Sequence, residues 1–259
     1  MRFAIFRRGS KVTLAAALVA SILASVAGIG SAYSVEESKE TIALSLANLL
    51  RAARSVISDN QEHINDHTEG FKGLSSDMVI LTAKEYYEID TGQALDDIDP
   101  STLQGELIRA ELDAIAEVID EVQERINRKG VGFKGFLPDI FAVQVAERFR
   151  AKAGESASLK VTAPRRVLRN RSNAPDKWED GVIEKTLISK DHPKGKHVTG
   201  EMFDSGKQAF RLVLPEYYRK SCLQCHGGPK GSYDITGRKK EGAALGDLGG
   251  VISVSIFEG

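Results

Sequence analysis

Residues 197–214 read HVTGEMFDSGKQAFRLVL. The runs 197–203 and 208–214 are rich in β-branched and aromatic residues, with Asp204-Ser205-Gly206 between them. A short Gly-containing turn joining two such runs predicts an antiparallel hairpin. Two more runs of the same texture, SLKVTA at 158–163 and GVISVSIF at 250–257, are set off by Gly, Pro and Asp turns. DKWEDGVIEKTLIS at 176–189 reads as a helix inside this β-rich half. The GDLGG stretch at 246–250 lacks phosphate-binding spacing and reads as a turn entering the last strand.

Before Gly154 the periodicity is helical. Ile42, Leu46, Leu49, Leu50, Ala53, Val56 and Ile57 share one face of a helix over 42–57, predicted to continue through Gln61 towards Ile64. A second helix is predicted from about Asp77 to Ile89, begun by Ser75 or Ser76 and stopped near Gly92. Over 102–128, Ile108, Leu112, Ile115, Ile119, Val122 and Ile126 recur at helical spacing, Ser101 and Gln104 form a capping-box pattern, and Gly130 ends the run. Pro138 suits the first turn of a helix reaching about Ala151, with Phe141, Val145 and Phe149 on its inner face. The expected fold class is α+β: an N-terminal helical layer, about 33–153, packed on a small antiparallel sheet, about 154–259, in one domain. GFKG occurs at 70–73 and again at 132–135, and two copies of four residues establish no repeat architecture.

With 259 residues and 42% hydrophobic composition the chain can bury a sizeable core. Arg2, Arg7, Arg8 and Lys11 precede an uncharged stretch from Val12 to Tyr33, and Gly30-Ser31-Ala32 supplies small residues at its end. That order predicts a signal peptide over 1–32, cut near Ala32, the alternative being an uncleaved anchor. Cleavage takes the 35 bases to 31 against 36 acids, a formal charge of −5. A basic nucleic-acid face is not expected. No later stretch is apolar enough to span a bilayer, so the mature protein is expected to be soluble and periplasmic or otherwise extracytoplasmic.

The segment 215–231, PEYYRKSCLQCHGGPKG, holds the chain's two cysteines, Cys222 and Cys225, with His226 directly after. C-x-x-C-H serves three chemistries. Each thiol can add across a haem vinyl group, and the adjacent imidazole can then bind the iron, which accounts for all three residues. An oxidising compartment also favours a Cys222–Cys225 disulfide, although the βαβ setting of thioredoxin-type motifs is missing here. Zinc is the third reading; it has three ligands here and no second Cys pair to close a structural site.

The stretch Pro215–Phe257, with PEYYRKSCLQCHGGPKG, YDITG, KKEG and GDLGGVISVSIF, resembles the bacterial family of single-haem c-type domains with a PAS-like fold. So do GFKGFLPDIFAVQVAERF at 132–149, KVTAPRRVLRNRSNAPDKWE at 160–179, and IND followed by GFKGL at 64–74. Members occur alone or as the extracytoplasmic sensing part of histidine kinases and chemoreceptors. The resemblance implies one covalent haem c in a PAS-like sheet, held by Cys222 and Cys225 and ligated by His226. Some members draw their other axial ligand from a Cys in the helical part, and this chain has no third Cys.

His63, His67 and Met78 are candidates for that sixth position, His63 and His67 sharing a helical face if the first helix extends so far. Arg165 and Arg166, with Arg169 and Arg171, could pair with haem propionates through their planar guanidinium groups. His192 and His197 read as surface residues, and Trp178 and Phe210 as core residues with a further option of walling the haem. Two functions stand foremost. One is redox or diatomic-gas sensing passed to a separate partner, since no output domain follows the last strand; the other is electron transfer to a redox partner. A peroxidase-like enzyme would need a paired distal acid and base, which the sequence does not offer, and no enzymatic activity is expected.

Overall fold

The computed structural model describes residues 38–204 and 206–258. The segment read as a signal peptide lies outside them. Helix α1, Lys39–Asp59, is capped by Ser38, whose side chain accepts from Thr41 N. Its apolar face, from Ile42 to Ile57, is buried as the spacing predicts. The helix does not continue to Ile64. Asn60 takes φ −97°, ψ 10°, and a separate short helix α2 runs Gln61–Asn65. Helix α3, Ser76–Thr91, is capped by Ser75 and closed by Gly92 at φ 73°.

Helix α4 spans Leu103–Ile126, but its cap is Thr102 and not Ser101. Ser101 is held by Asp99, whose Oδ1 accepts from Ser101 N and Oγ at 2.9 and 2.7 Å. Gln104, expected to complete a capping box, instead donates to Ser45 Oγ on α1. Helix α5, Pro138–Ala153, has Pro138 in its first turn and buries Phe141, Val145 and Phe149.

Four strands make one antiparallel sheet: β1 Ala157–Thr162, β2 Val198–Asp204, β3 Lys207–Tyr217 and β4 Leu248–Phe257, in the order β1-β4-β3-β2. The predicted hairpin is β2–β3, with Asp204 opposite Lys207 and Gly206 at φ 83°. Alternate residues Leu212, Leu214, Ile252, Val254 and Ile256 join the core of α1, α3, α4 and α5. Helix α6, Lys177–Gly181, passes into a π-helical segment, Val182–Leu187, and the two carry a second, smaller core with Val213, Leu248 and Val251 on the other side of the sheet. The architecture is α+β, with helices packed against a four-stranded antiparallel sheet.

The two GFKG stretches are paired in space. Each follows an Ile-Asn at a helix end, Ile64-Asn65 closing α2 and Ile126-Asn127 closing α4, and each leads into the next helix. Lys72 N donates to Asn127 Oδ1 at 2.9 Å and Lys134 N to Asn65 Oδ1 at 3.0 Å, so each loop is tied by the other's asparagine. Both lysines are buried with Nζ on a backbone carbonyl, of Asp66 and Arg128 respectively. Gly73 and Gly135 turn at φ 65° and 64°. The repeated unit is thus helix, I-N-x-x-x-x-G-F-K-G loop, helix, which two tetrapeptides alone could not establish. Asn127→Ala should cost about 1–3 kcal/mol by stranding the buried Lys72 N–H. Urea unfolding checks this, and a loss matching that of an exposed helix asparagine would refute the reciprocal tie.

Glu111 of α4 is fully buried, and neither of its carboxylate oxygens has a hydrogen-bond partner among the described residues. Burial raises its carboxyl well above the ordinary 4.5, so the folded chain holds a proton there that the unfolded chain releases. Its sign follows: stability from this group is complete below the unfolded value near 4.5 and falls as pH rises towards the folded value, by about 1.4 kcal/mol per pH unit. Glu111→Gln should flatten that limb and stabilise the protein at neutral pH, as denaturation across pH would show.

Candidate functional site

Strand β3 delivers the chain into the cysteine segment. At its end Glu216 accepts from Arg51 Nε at 2.5 Å and Arg54 NH1 at 2.7 Å, both on α1, and Arg51 NH2 also donates to Pro215 O at 2.9 Å. A 3-10 turn, Lys220–Cys222, and the one-turn helix α7, Leu223–His226, follow. Helical spacing of three puts Cys222 and Cys225 on one face. Both thiols are free and half-buried. The turn ends at Gly227, where a Cβ would lie 2.6 Å from Leu223 O.

The segment is fastened to the end of the first helical pair. Ser221 Oγ lies 2.9 Å from Ser58 Oγ, Arg219 is 3.5 Å from Asp59, and Gln224 donates to Glu62 of α2. A small cavity of about 260 Å³ is lined by Cys225, Gln224 and Ile235 and by Gln61, Glu62 and Asn65. Gln61 Oε1 is buried and has no partner among the described residues.

His226 is held through Nδ1. Glu241 Oε2 lies 2.9 Å away, and the Tyr218 hydroxyl 3.4 Å, with the two rings tilted by 31° at 4.9 Å. Gly249 is required under Tyr218, since a Cβ there would lie 2.7 Å from the ring. Glu241 is gripped in turn by Arg169, through Nε at 2.7 Å and NH2 at 3.0 Å. Arg169 also donates to Asp234 Oδ2 at 2.5 Å and to Cys225 O at 2.8 Å, which joins the cysteine segment to the loop carrying Glu241.

Burial, and after it the nearby Arg169 charge, depress the His226 pKa despite the opposing pull of Glu241, so the ring is neutral at pH 7. With Nδ1–H donated to the Glu241 carboxylate, Nε2 carries the free lone pair. Burial opposes ionisation of Glu241, but the hydrogen bond from Arg169, a backbone hydrogen bond and the His226 and Arg169 charges together hold the carboxyl below its usual range. Burial pushes the Cys225 thiol up, reinforced by Asp234, and leaves it protonated. Tyr218 is likewise raised, by burial first and by Glu241 second.

The other residues singled out in the sequence are dispersed. Arg165 points to Asp180 and Pro175 O, while Arg166 reaches a larger cavity beside Tyr218 and lies 3.8 Å from Glu184. His63 and His67 do not share a helical face, because α2 ends at Asn65. His63 Nε2 is 3.0 Å from Lys72 O and its Nδ1 3.5 Å from Glu69, and His67 O accepts from Gly130 N. Met78 is exposed at the start of α3. His197 bonds Glu40, whereas His192, expected at the surface, lines the larger cavity. Trp178 packs on the second core under Arg211, and Phe210 on the main one. Tyr218 and Glu241 were not legible as site residues. The only signals were their places in PEYYRKSC and KKEG, beside the motif and in a cation-rich loop.

Among the described residues, no group of three or more His, Cys, Asp or Glu side chains converges as a bare metal site, and no helix is long and apolar enough to cross a membrane. No match was found among curated proteins or among solved structures. The Tll0287-like family model matches residues 32–256, which takes in the helical layer, the sheet and the Cys222–His226 segment together. The chain therefore belongs to the Tll0287-like family, a family of bacterial c-type cytochrome sensor domains.

Proposed function

We propose that this chain is an exported, non-enzymatic carrier of one haem c, attached through Cys222 and Cys225 with His226 Nε2 as axial ligand, that senses redox state or a diatomic gas and passes the signal to a separate protein. The observation that carries this reading is the set of two free thiols on one helical face with an adjacent imidazole whose Nδ1 is already committed to Glu241. Such an imidazole presents a lone pair at Nε2 in a fixed tautomer, which is what an iron ligand requires. A haem would supply a redox-active iron whose remaining coordination position decides between gas binding and electron transfer. Attachment consumes no electrons: each thiol S–H adds across a vinyl double bond to form a thioether.

The chain's own residues would do the rest. Arg169 and Glu241 fix the imidazole, Tyr218 packs on its ring, and the α1–α2 end covers the Cys225 side, where Gln61, Glu62 and Asn65 line the small cavity. His63 could serve as the sixth ligand by giving up its Lys72 carbonyl. The PAS-like character of the sheet belongs to the same proposal and is supported by its antiparallel order. Electron transfer is the second reading, favoured by the partial exposure of both cysteines, which leaves a haem edge near solvent.

Wild-type protein exported by a host with haem-attachment machinery should keep its haem colour on a denaturing gel and show one haem adduct by mass. CO added to the reduced form should change the absorption spectrum if the sixth site is vacant or exchangeable, and should not if two protein ligands hold the iron. A mass without any adduct sinks the haem reading and leaves the Cys222–Cys225 disulfide in its place.

A further inference from the structure

A cavity of about 770 Å³ is lined in part by Tyr218 and Glu241, and Cys222, Cys225 and His226 are not among its lining residues. Its walls come from the end of the π-helical segment, the 188–194 loop, the junctions of β3 and β4, and the 239–243 loop. Leu187, Tyr218 and Leu248, all buried, form an apolar floor with Val167 and Tyr217. The rim is cationic: Arg166, Lys190, Lys194, Lys230, Lys239 and Lys240 surround it, against two carboxylates.

Both of those carboxylates are engaged. Glu241 is bound to Arg169 and His226, and Asp247 Oδ2 accepts from Ala244 N at 2.8 Å. Lys194 is tied to Gly246 O at 2.8 Å and sits over the Tyr217 ring. The side chains of Lys190, Lys230, Lys239 and Lys240 make no hydrogen bond or ion pair with any described residue. In a chain with 35 bases and 36 acids, four uncompensated ammonium groups around one concave space are a local excess that the composition does not impose. A cleft rimmed by charges of one sign over apolar walls focuses its field on a ligand of the opposite sign. Its concavity and size suit a small molecule and exclude a polymer.

We propose that this cavity is a binding site for a small organic polyanion: a flat apolar body resting on Tyr217, Tyr218 and Leu248, with two or more carboxylates or phosphates reaching the lysine rim. The site goes beyond the haem reading and does not depend on it.

The test is calorimetric titration of benzene-1,3,5-tricarboxylate into the exported, haem-loaded protein, with the uncharged benzene-1,3,5-trimethanol as control. A single saturable site is expected, weakening with added salt and by roughly tenfold or more in Lys239→Glu/Lys240→Glu. Lys190→Glu, on a different loop, should weaken it in the same direction, and Lys129→Glu, outside the cavity, should leave it unchanged. No saturable binding, or equal weakening by Lys129→Glu, overturns the proposal. The haem-free protein is titrated in parallel. Binding to both forms supports a separate site, whereas binding to the haem-free form alone would make the cavity the haem's own space and overturn the proposal while leaving the haem reading intact. If the protein exported by a host with haem-attachment machinery carries no haem adduct and still binds, the haem reading fails and the site stands.

Discussion

Serine at both Cys222 and Cys225 is expected to abolish covalent haem altogether, while serine at either one alone leaves a haem joined by a single thioether. Cys222 and Cys225 are the chain's only cysteines, so no other thiol can substitute. Their placement supports a joint role: Cys222 ends a 3-10 turn, Cys225 sits in the helical turn that follows, and Gly227 breaks that turn before a third residue can intrude. The double variant should lose its colour on a denaturing gel and show the bare polypeptide mass. Each single variant should keep one adduct, with a pyridine-haem band displaced from that of the wild type because one vinyl group survives. His226→Ala separates attachment from ligation: the adduct should remain and the spectrum should change in both oxidation states. An adduct persisting in the double serine variant would place attachment elsewhere and remove the basis of the site. An unaltered spectrum in His226→Ala would keep the attachment and reject the axial ligand.

Much of the fold was legible because the signals were local. The inner faces of α1, α4 and α5 follow from apolar spacing within one element, and the β2–β3 hairpin from a turn between two β-rich runs. The misses came from competing local contacts and from one tertiary contact. Ser101 matches a cap in sequence, yet Asp99 takes its N–H and hydroxyl and hands the role to Thr102, while Gln104 is drawn to Ser45 across the helix pair. Helix α1 stops at Asn60, whose side chain folds back onto Val56 O at 2.9 Å and leaves His63 in a separate turn. The same contrast holds at the site. Cys222, Cys225 and His226 are read from spacing alone, but the group that fixes the His226 ring is assembled from Arg169, Tyr218, Asp234 and Glu241, on segments brought together only by folding. Arg165, Arg166, Arg169 and Arg171 were all expected as possible partners of the haem propionates. Of these, Arg169 is the one drawn inward, where two carboxylates and the Cys225 carbonyl take four of its five N–H donors.

Removing Arg169 should damage stability and the His226 site together. Its side chain is 18% exposed, Asp234 is fully buried, and Glu241 is 18% exposed. Burial alone would oppose charge on Arg169, but hydrogen bonds to Glu241 and Asp234 hold its pKa above the ordinary value, and Asp234 is held far below its own range against burial, by Thr236 first and Arg169 next. Deleting one partner of such a group strands the others without water. Arg169→Ala should cost about 3 kcal/mol, the lower end of the range for an unpaired buried charge, because part of the guanidinium still touches solvent. Arg169→Lys should recover only a fraction of this, since an ammonium cannot meet both Glu241 oxygens in the bidentate geometry. The loss should not stay confined to stability. Without Arg169 the Glu241 carboxylate is no longer oriented on Nδ1, and the Cys225 carbonyl loses its tether to the 234–241 loop. A shifted midpoint potential in haem-loaded Arg169→Lys, measured where the variant is still fully folded, would mark Arg169 as a positioning residue for His226. An unchanged potential together with lost stability would confine it to holding the loop. Stability within about 1 kcal/mol of wild type in Arg169→Ala would show that the cluster is solvated and worth no more than a surface pair.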